Sequence, residues 1–356
     1  MVYYMLTGKR IVVTGGTGSL GKVLLRRLLS GEMGEPEKII IFSRDEAKQN
    51  ALRMEYLQRK QATDEVIYSN FANLLDFRIG DVRDYHSVSE VLREADVVFN
   101  AAALKQVPTC EYFPFEAVKT NIVGPQNIVR AIQELQLPVE AVVGISTDKA
   151  CKPVNVMGMT KAIQERVFIR GNLGCPSTRF ICVRYGNVLA SRGSVVPLFH
   201  EQIRTGGPVT ITTIDMTRFL LSLDQAVDTV FAALRYANRG ETYIPKVPSA
   251  KIVDIVSALI GDLPVKTVIT GIRPGEKTHE ILVSEEEATR TIERGNYYVI
   301  SPILPELCKI ELRDDILGHE YSSSDNLLSC EAVKDLLASH ELLIKSNSDL
   351  DSELLR

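Results

Sequence analysis

Short β-branched apolar runs alternate with amphipathic stretches through the first half of the chain. Arg10 to Thr14, Lys38 to Phe42, Leu74 to Ile79, Asp96 to Asn100 and Val139 to Ser146 read as strands. Leu20 to Leu29 and Asp45 to Gln61 have the apolar spacing of helices. Most of these strands are apolar on consecutive positions, as strands buried on both faces are. The rhythm predicts an α/β fold, a doubly wound parallel sheet with helices on both sides and ligand loops at the carboxyl ends of its strands. Beyond Arg184 the pattern loosens. Turns at Gly206-Gly207-Pro208, Pro245, Pro248, Pro264 and Pro274-Gly275 separate shorter elements, among them a helix over Asp224 to Ala237. Residues 1–185 are expected to form the main sheet domain and 186–330 a smaller C-terminal lobe, with some chain returning to the sheet. The Ser-, Asp- and Glu-rich end, Ser346 to Arg356, is expected to fray.

A chain of 356 residues buries a large core without disulfides or structural metals. Its formal charge of -4, from 41 basic and 45 acidic residues, argues against a broad nucleic-acid or anionic-membrane footprint. The six cysteines form no C-x-x-C pair, so neither a metal centre nor a redox dithiol is expected. Residues 1–10 carry no leader signature, and no apolar stretch is long enough to span a bilayer. The expected compartment is the cytoplasm, with reduced thiols.

The first strand runs into Thr14-Gly15-Gly16-Thr17-Gly18-Ser19-Leu20-Gly21, which opens the first helix. Gly15, Gly18 and Gly21 have the spacing that permits a tight turn, backbone approach to a pyrophosphate and close helix–strand packing. The motif makes 1–185 a Rossmann-type nucleotide-binding domain. The second strand ends in Phe42-Ser43-Arg44-Asp45. Ser43 and Arg44 suit a ribose 2′-phosphate, and Asp45 reads as a helix N-cap, so NADP is favoured over NAD. Asp81, beside Val82 after the third strand, is placed to accept from an adenine amino group; its plain alternative is a strand-end turn.

After the fifth strand come Ser146-Thr147-Asp148-Lys149 and then Met157-Gly158-Met159-Thr160-Lys161 in a helix, with 157 and 161 on one face. At these residues the chain resembles the extended short-chain dehydrogenase/reductase superfamily. More narrowly it resembles the bacterial UDP-N-acetylglucosamine 4,6-dehydratases of surface-polysaccharide synthesis. The resemblance runs over Thr14 to Gly21, Gly80 to Asp84, Ala101 to Pro108, Lys119-Thr120-Asn121, Ser146 to Lys149, Arg184 to Val188, Ser191 to Val195, Met216 to Phe219 and Arg273 to Lys277. It covers roughly residues 8–300.

The resemblance implies oxidation of C4 of the sugar, elimination of water across C5 and C6, and return of hydride to C6. It implies Asp148 as the acid for the leaving C6 hydroxyl and Lys149 as the C5 base. That role asks for a neutral lysine, a depressed pKa expected from burial near Lys161, Lys105 and oxidised nicotinamide. Lys161 is expected on the nicotinamide ribose, or else as a surface lysine. Ala101, Ala102 and Ala103 are expected along the cofactor. Lys105, Asn187, Arg192, Arg218, Arg273 and Glu276 are expected around the UDP-sugar. The superfamily's usual tyrosine is replaced by Met157, which leaves Asp148, Thr147 or a water relayed to Lys161 as candidates for the C4-hydroxyl base. Some relatives invert C5 and others retain it. A homo-oligomer is implied as well. The competing readings are a sugar-nucleotide epimerase, which needs no acid at C6, and a catalytically silent NADP-binding sensor or scaffold.

Overall fold

The computed structural model describes residues 5–58, 74–189, 195–308 and 316–344. Its main sheet is built from β1 (Arg10–Thr14), β2 (Lys38–Ser43), β3 (Leu75–Ile79), β4 (Val97–Asn100), β5 (Ala141–Thr147), β6 (Arg179–Tyr185), β9 (Thr242–Pro245), β13 (Thr291–Arg294) and β14 (Tyr297–Ile300). The strand order is β13-β14-β9-β6-β5-β4-β1-β2-β3. Strands β3 to β9 along that order pair in parallel, and β14 and β13 close the edge antiparallel. The fold is therefore Rossmann-like α/β, with its sheet reversing direction of growth between β1 and β4. Ligands of such sheets bind at the carboxyl ends flanking that reversal.

The consecutive apolar positions have the expected cause. Ile11, Val13, Ile39 and Ile41 pack under the helices Ser19–Leu29 and Leu223–Tyr236. Val12, Ile40 and Phe42 pack on the other face with Ile128, Val129 and Phe168. Element ends shift by one or two residues from the sequence reading: the first helix begins at Ser19, β5 at Ala141, and the late helix spans Leu223–Tyr236. The second helix is described over Glu46–Gln58; residues 59–61, and the tail 346–356, lie outside the described residues.

The shorter elements are β7 (Val209–Ile211), β8 (Thr217–Phe219), β10 (Ser249–Lys251), β11 (Thr267–Ile269), β12 (Ile281–Val283) and β15 (Tyr321–Ser322). They pair two by two, β8 with β10, β7 with β11 and β12 with β15. Phe199, Ile211, Leu220, Ile255 and Leu337 form a core of their own beside these pairs. No helix among the described residues is long and apolar enough to cross a membrane.

Candidate active site

The glycine turn has the shape a dinucleotide requires. Gly15 has φ of +67°, and a Cβ there would lie 2.7 Å from the backbone of Ala102. A Cβ on Gly21 would meet the Gly16 backbone at 2.5 Å, so helix and turn are in contact. Gly18 caps the helix Ser19–Leu29 without a side-chain hydrogen bond, and no acidic residue stands in its first turn. Its leading amides therefore have no intrahelical acceptor and could hold an anion. Thr17 and Ser19 are partly buried in this turn, and Leu20 packs against the core. Thr14 ties β1 to β4: its hydroxyl bonds Asn100 Oδ1 at 2.8 Å and accepts from the Ala102 amide at 3.2 Å. Ala101 and Ala102 thus line the cradle, with the exposed Ala103 following.

At the end of β2 the Asp45 carboxylate accepts from the Lys48 amide at 3.0 Å, which occupies it as a helix cap. Ser43 Oγ accepts from the buried Gln49, and Arg44 is largely exposed, 3.7 Å from Asp81. Asp81 is itself gripped by Arg83 at 2.7–3.0 Å. Burial opposes the Asp81 charge, yet Arg83 and Arg44 hold its pKa below the usual range. Val82 is buried, and its carbonyl accepts from Asn127 at 3.0 Å.

The residues after β5 are drawn together by two close packings. A Cβ on Gly144 would meet the Phe168 ring at 2.4 Å, and one on Gly158 would lie 2.1 Å from the Lys149 carbonyl oxygen. The helix Val156–Gly174 therefore lies directly on β5 and on the single turn Asp148–Ala150. Asn155 caps that helix through the Gly158 amide at 2.8 Å and donates to the Gly275 carbonyl at 2.8 Å. Lys277 reaches the Cys151 carbonyl at 2.6 Å. These bonds fasten the loop that carries Arg273 and Glu276 over the Asp148 turn.

The Asp148 side chain is 1% exposed and the Glu280 side chain 4%. Lys149 Nζ lies between them, 3.2 Å from Asp148 Oδ1 and 3.3 Å from Glu280 Oε1. Thr147 donates its hydroxyl to Asp148 Oδ1 at 2.7 Å. Burial pushes the Asp148 carboxyl above its ordinary pKa; Lys149 pulls it down and Glu280 pushes it further up. The depressed pKa expected for Lys149 is corrected by this geometry. Burial does disfavour its charge, but the two facing carboxylates outweigh burial and raise its pKa. Asp148 was visible beside it in sequence; the second carboxylate, Glu280, was not.

Lys161 is no surface lysine. It is 6% exposed, and its amine donates to the Ile145 carbonyl and to Gln164 Oε1. Burial lowers its pKa to about 8. Met157 is buried with Cys110 and Ala117, in an apolar cluster that Leu104 and Val107 also touch. Asn121 bridges the Leu104 backbone and Thr160, and Lys105 follows on the same loop, exposed.

Arg218 is nearly buried; it donates to the Thr217 and Thr278 carbonyls and lies 3.9 Å from Glu280. It thus adjoins the Lys149 cluster. Arg273 is exposed on its loop. Asn187 Oδ1 and Glu276 Oε2 are buried without a hydrogen-bond partner among the described residues. Arg192 lies outside the described residues. Two features escaped the sequence reading. Glu280 is one, although an acid heading the apolar strand Ile281–Val283 was a signal. The other is the buried array in which Arg184 bonds both Glu165 and Glu287 at 2.6–3.0 Å.

The model of the polysaccharide biosynthesis protein family matches residues 11–302. The chain belongs to this family. It is 44% identical over 301 residues to a UDP-N-acetylglucosamine 4,6-dehydratase (inverting) of Campylobacter jejuni, covering 84% of each chain. It is also 40% identical over 348 residues to a protein named UDP-glucose 4-epimerase in Rickettsia bellii, 94% of this chain and 96% of that one. Among solved structures, Pen from Bacillus thuringiensis matches with a TM-score of 0.83 and 33% identity, over 95% of this chain and all of that one. DesIV of Streptomyces venezuelae, a dTDP-glucose 4,6-dehydratase solved with NAD and TYD, matches with a TM-score of 0.64 over 76% of this chain and 86% of its own. At 20% identity that match speaks for the fold alone.

Proposed function

We propose that this polysaccharide biosynthesis protein is a UDP-N-acetylglucosamine 4,6-dehydratase, with NADP as its cofactor. The observation that carries the reading is the Asp148–Lys149 pair: a buried carboxyl of raised pKa in contact with an amine, fastened at the end of β5. An elimination needs an acid and a base on neighbouring atoms, and a 4-epimerisation does not. The 44% identity to the Campylobacter dehydratase supports the same choice.

The cradle of Gly15, Gly18 and Gly21 and the uncapped amides after Gly18 fit a dinucleotide, and Arg44 and Ser43 fit its 2′-phosphate. When bound there, the cofactor would supply hydride acceptance at C4 and hydride return at C6, and the proton of the C4 hydroxyl would leave by a water relayed to Lys161. The ketone at C4 acidifies the proton on C5. Neutral Lys149 then takes that proton, the C–H electrons form the C5–C6 double bond, and the C6–O bond breaks. Asp148 supplies the proton with which the hydroxyl leaves as water. The step ends with an ammonium and a carboxylate, the pair described above. Hydride return to C6 leaves C5 to take up a proton, which balances the one released from the C4 hydroxyl, and transfer from Nζ to Oδ1, 3.2 Å apart, restores Asp148 and Lys149.

Arg273, Asn187 and Glu276 would serve the nucleotide diphosphate and ribose, and Lys105 the sugar. Inversion at C5 is the outcome that the Campylobacter relative's name supports. Six free cysteines, four of them buried, fit a reducing cytoplasm. Exposed Tyr112, Phe113, Phe115 and Ile163, on or between helices that pack on one another, support a homo-oligomer.

The test is incubation with UDP-N-acetylglucosamine in deuterated water, followed by proton NMR. A C6 methyl signal with deuterium at C5 is expected, and the ring couplings report the C5 configuration. A C4 epimer with no methyl signal would replace this reading with the epimerase. Bound cofactor with no turnover of any UDP-sugar would leave the silent sensor.

A further inference from the structure

Glu280 is a costly residue to bury. Its side chain is 4% exposed, it heads the apolar strand β12, and its Oε2 has no hydrogen-bond partner among the described residues. Asp148 Oδ2 is equally buried and equally without a partner. Two buried carboxylates therefore face one amine, which contacts each of them through a single oxygen at 3.2 and 3.3 Å. An ordinary structural ion pair needs one acid for one base. The second acid, whose charge Arg218 answers from 3.9 Å, adds acceptor capacity that the fold does not use.

We infer that Glu280 is a positioning residue of the elimination: it holds the Lys149 amine jointly with Asp148 and keeps one proton on the Asp148–Lys149 pair. This inference rests on the dehydratase reading and extends it. The pair works with a single proton, held as the ion pair at rest and moved from Nζ to Oδ1 before the C5 proton is taken. With two protons Lys149 cannot accept; with none Asp148 cannot donate. The groups that face Lys149 are Asp148 on its own turn, Glu280 at the head of β12, and Arg218 on β8. Arg218 and Lys277 also face Glu280 and favour its ionised form. The charge on Glu280 strengthens proton binding by both Asp148 and Lys149, so it sets the pH range over which the one-proton state exists.

The experiment has two readouts. In the first, the protein is labelled with lysine carrying carbon-13 at Cε, and the Lys149 signal, assigned with K149R, is titrated in wild type and E280Q. A midpoint lower in E280Q by roughly one pH unit or more is expected. In the second, methyl formation from UDP-N-acetylglucosamine is followed against pH. Both limbs of the bell-shaped kcat profile should move acidward in E280Q and return toward wild type in E280D, which keeps the charge. If E280Q does not fold, E280D alone decides, with a smaller movement in the same direction. Unmoved titration and unmoved limbs, with kcat merely reduced, would overturn the inference and make Glu280 structural. The titration needs no turnover: failure of wild type to make a methyl product overturns the dehydratase reading, whereas an unmoved Lys149 midpoint overturns this one.

Discussion

Gly158 and Lys149 touch so closely that no side chain fits between them: a Cβ on Gly158 would lie 2.1 Å from the Lys149 carbonyl oxygen. The first turn of the helix Val156–Gly174 thereby fixes the backbone of the turn Asp148–Ala150. Substituting G158A forces the two apart. The expected cost is about 1–3 kcal/mol of stability. Displacement of the reacting groups should lower kcat by roughly 100-fold. Denaturant unfolding and turnover measure the two effects, and a variant with wild-type kcat would show that the contact does not position Lys149.

Asp148 and Lys149 are separable by isotope. D148N keeps the base and loses the acid, so methyl formation should fall by roughly 10²–10⁴-fold. Deuterium should still enter C5 of recovered substrate. K149M should lose both. Methyl formation by K149M at the wild-type rate would remove Lys149 from the reaction.

Arg44 is expected to choose the cofactor. R44A should weaken NADP binding by about 10–100-fold, the worth of a charge-assisted contact to phosphate, with NAD binding little changed. Equal loss for both dinucleotides, read by calorimetry, would place Arg44 away from the 2′-phosphate.

Lys161 should make stability depend on pH in alkaline solution. Burial lowers its folded pKa to about 8, below its ordinary value of 10.5. Between these values the unfolded chain binds more protons than the folded one, so this lysine's contribution rises with pH. The wild type should gain roughly 3 kcal/mol relative to K161M from pH 8 to 10.5. A constant difference across that window would mean that Lys161 is not buried as an amine.

The Arg184 array predicts a dependence of the same sign in acid, with stability again rising with pH. Burial opposes the Glu287 charge, but Arg184 prevails and lowers its pKa to about 2 from 4.5. The stability it contributes is whole above pH 4.5 and is lost as pH falls toward 2. R184M strands two buried carboxylates and should cost about 3–5 kcal/mol at neutral pH. Thermal unfolding across pH checks both statements.

Much of the frame was legible before any coordinates. Ile11 to Val13 and Ile39 to Ile41 are buried strands because consecutive apolar residues allow little else, and Gly15, Gly18 and Gly21 announce a tight strand-to-helix turn. Asp148 and Lys149 are neighbours in sequence, so their pairing was visible too. Such features are carried by residues a few positions apart.

What surrounds Lys149 was not of that kind. Glu280 and Arg218 reach it only through the return of β12 and β8 over the Asp148 turn, and Glu280, with Asp148, reversed the expected direction of its pKa against burial and Arg218. Lys161 turned out to bond inward to Ile145 and Gln164, and Arg184 proved to be a structural cation between Glu165 and Glu287. Local pattern and spacing determine which segments are strands, turns and helices, because those depend on nearby residues. The charge state of a buried group depends on dehydration and on every charge within a few ångströms. For this protein, those neighbours come from distant parts of the chain and are brought together only by the tertiary fold.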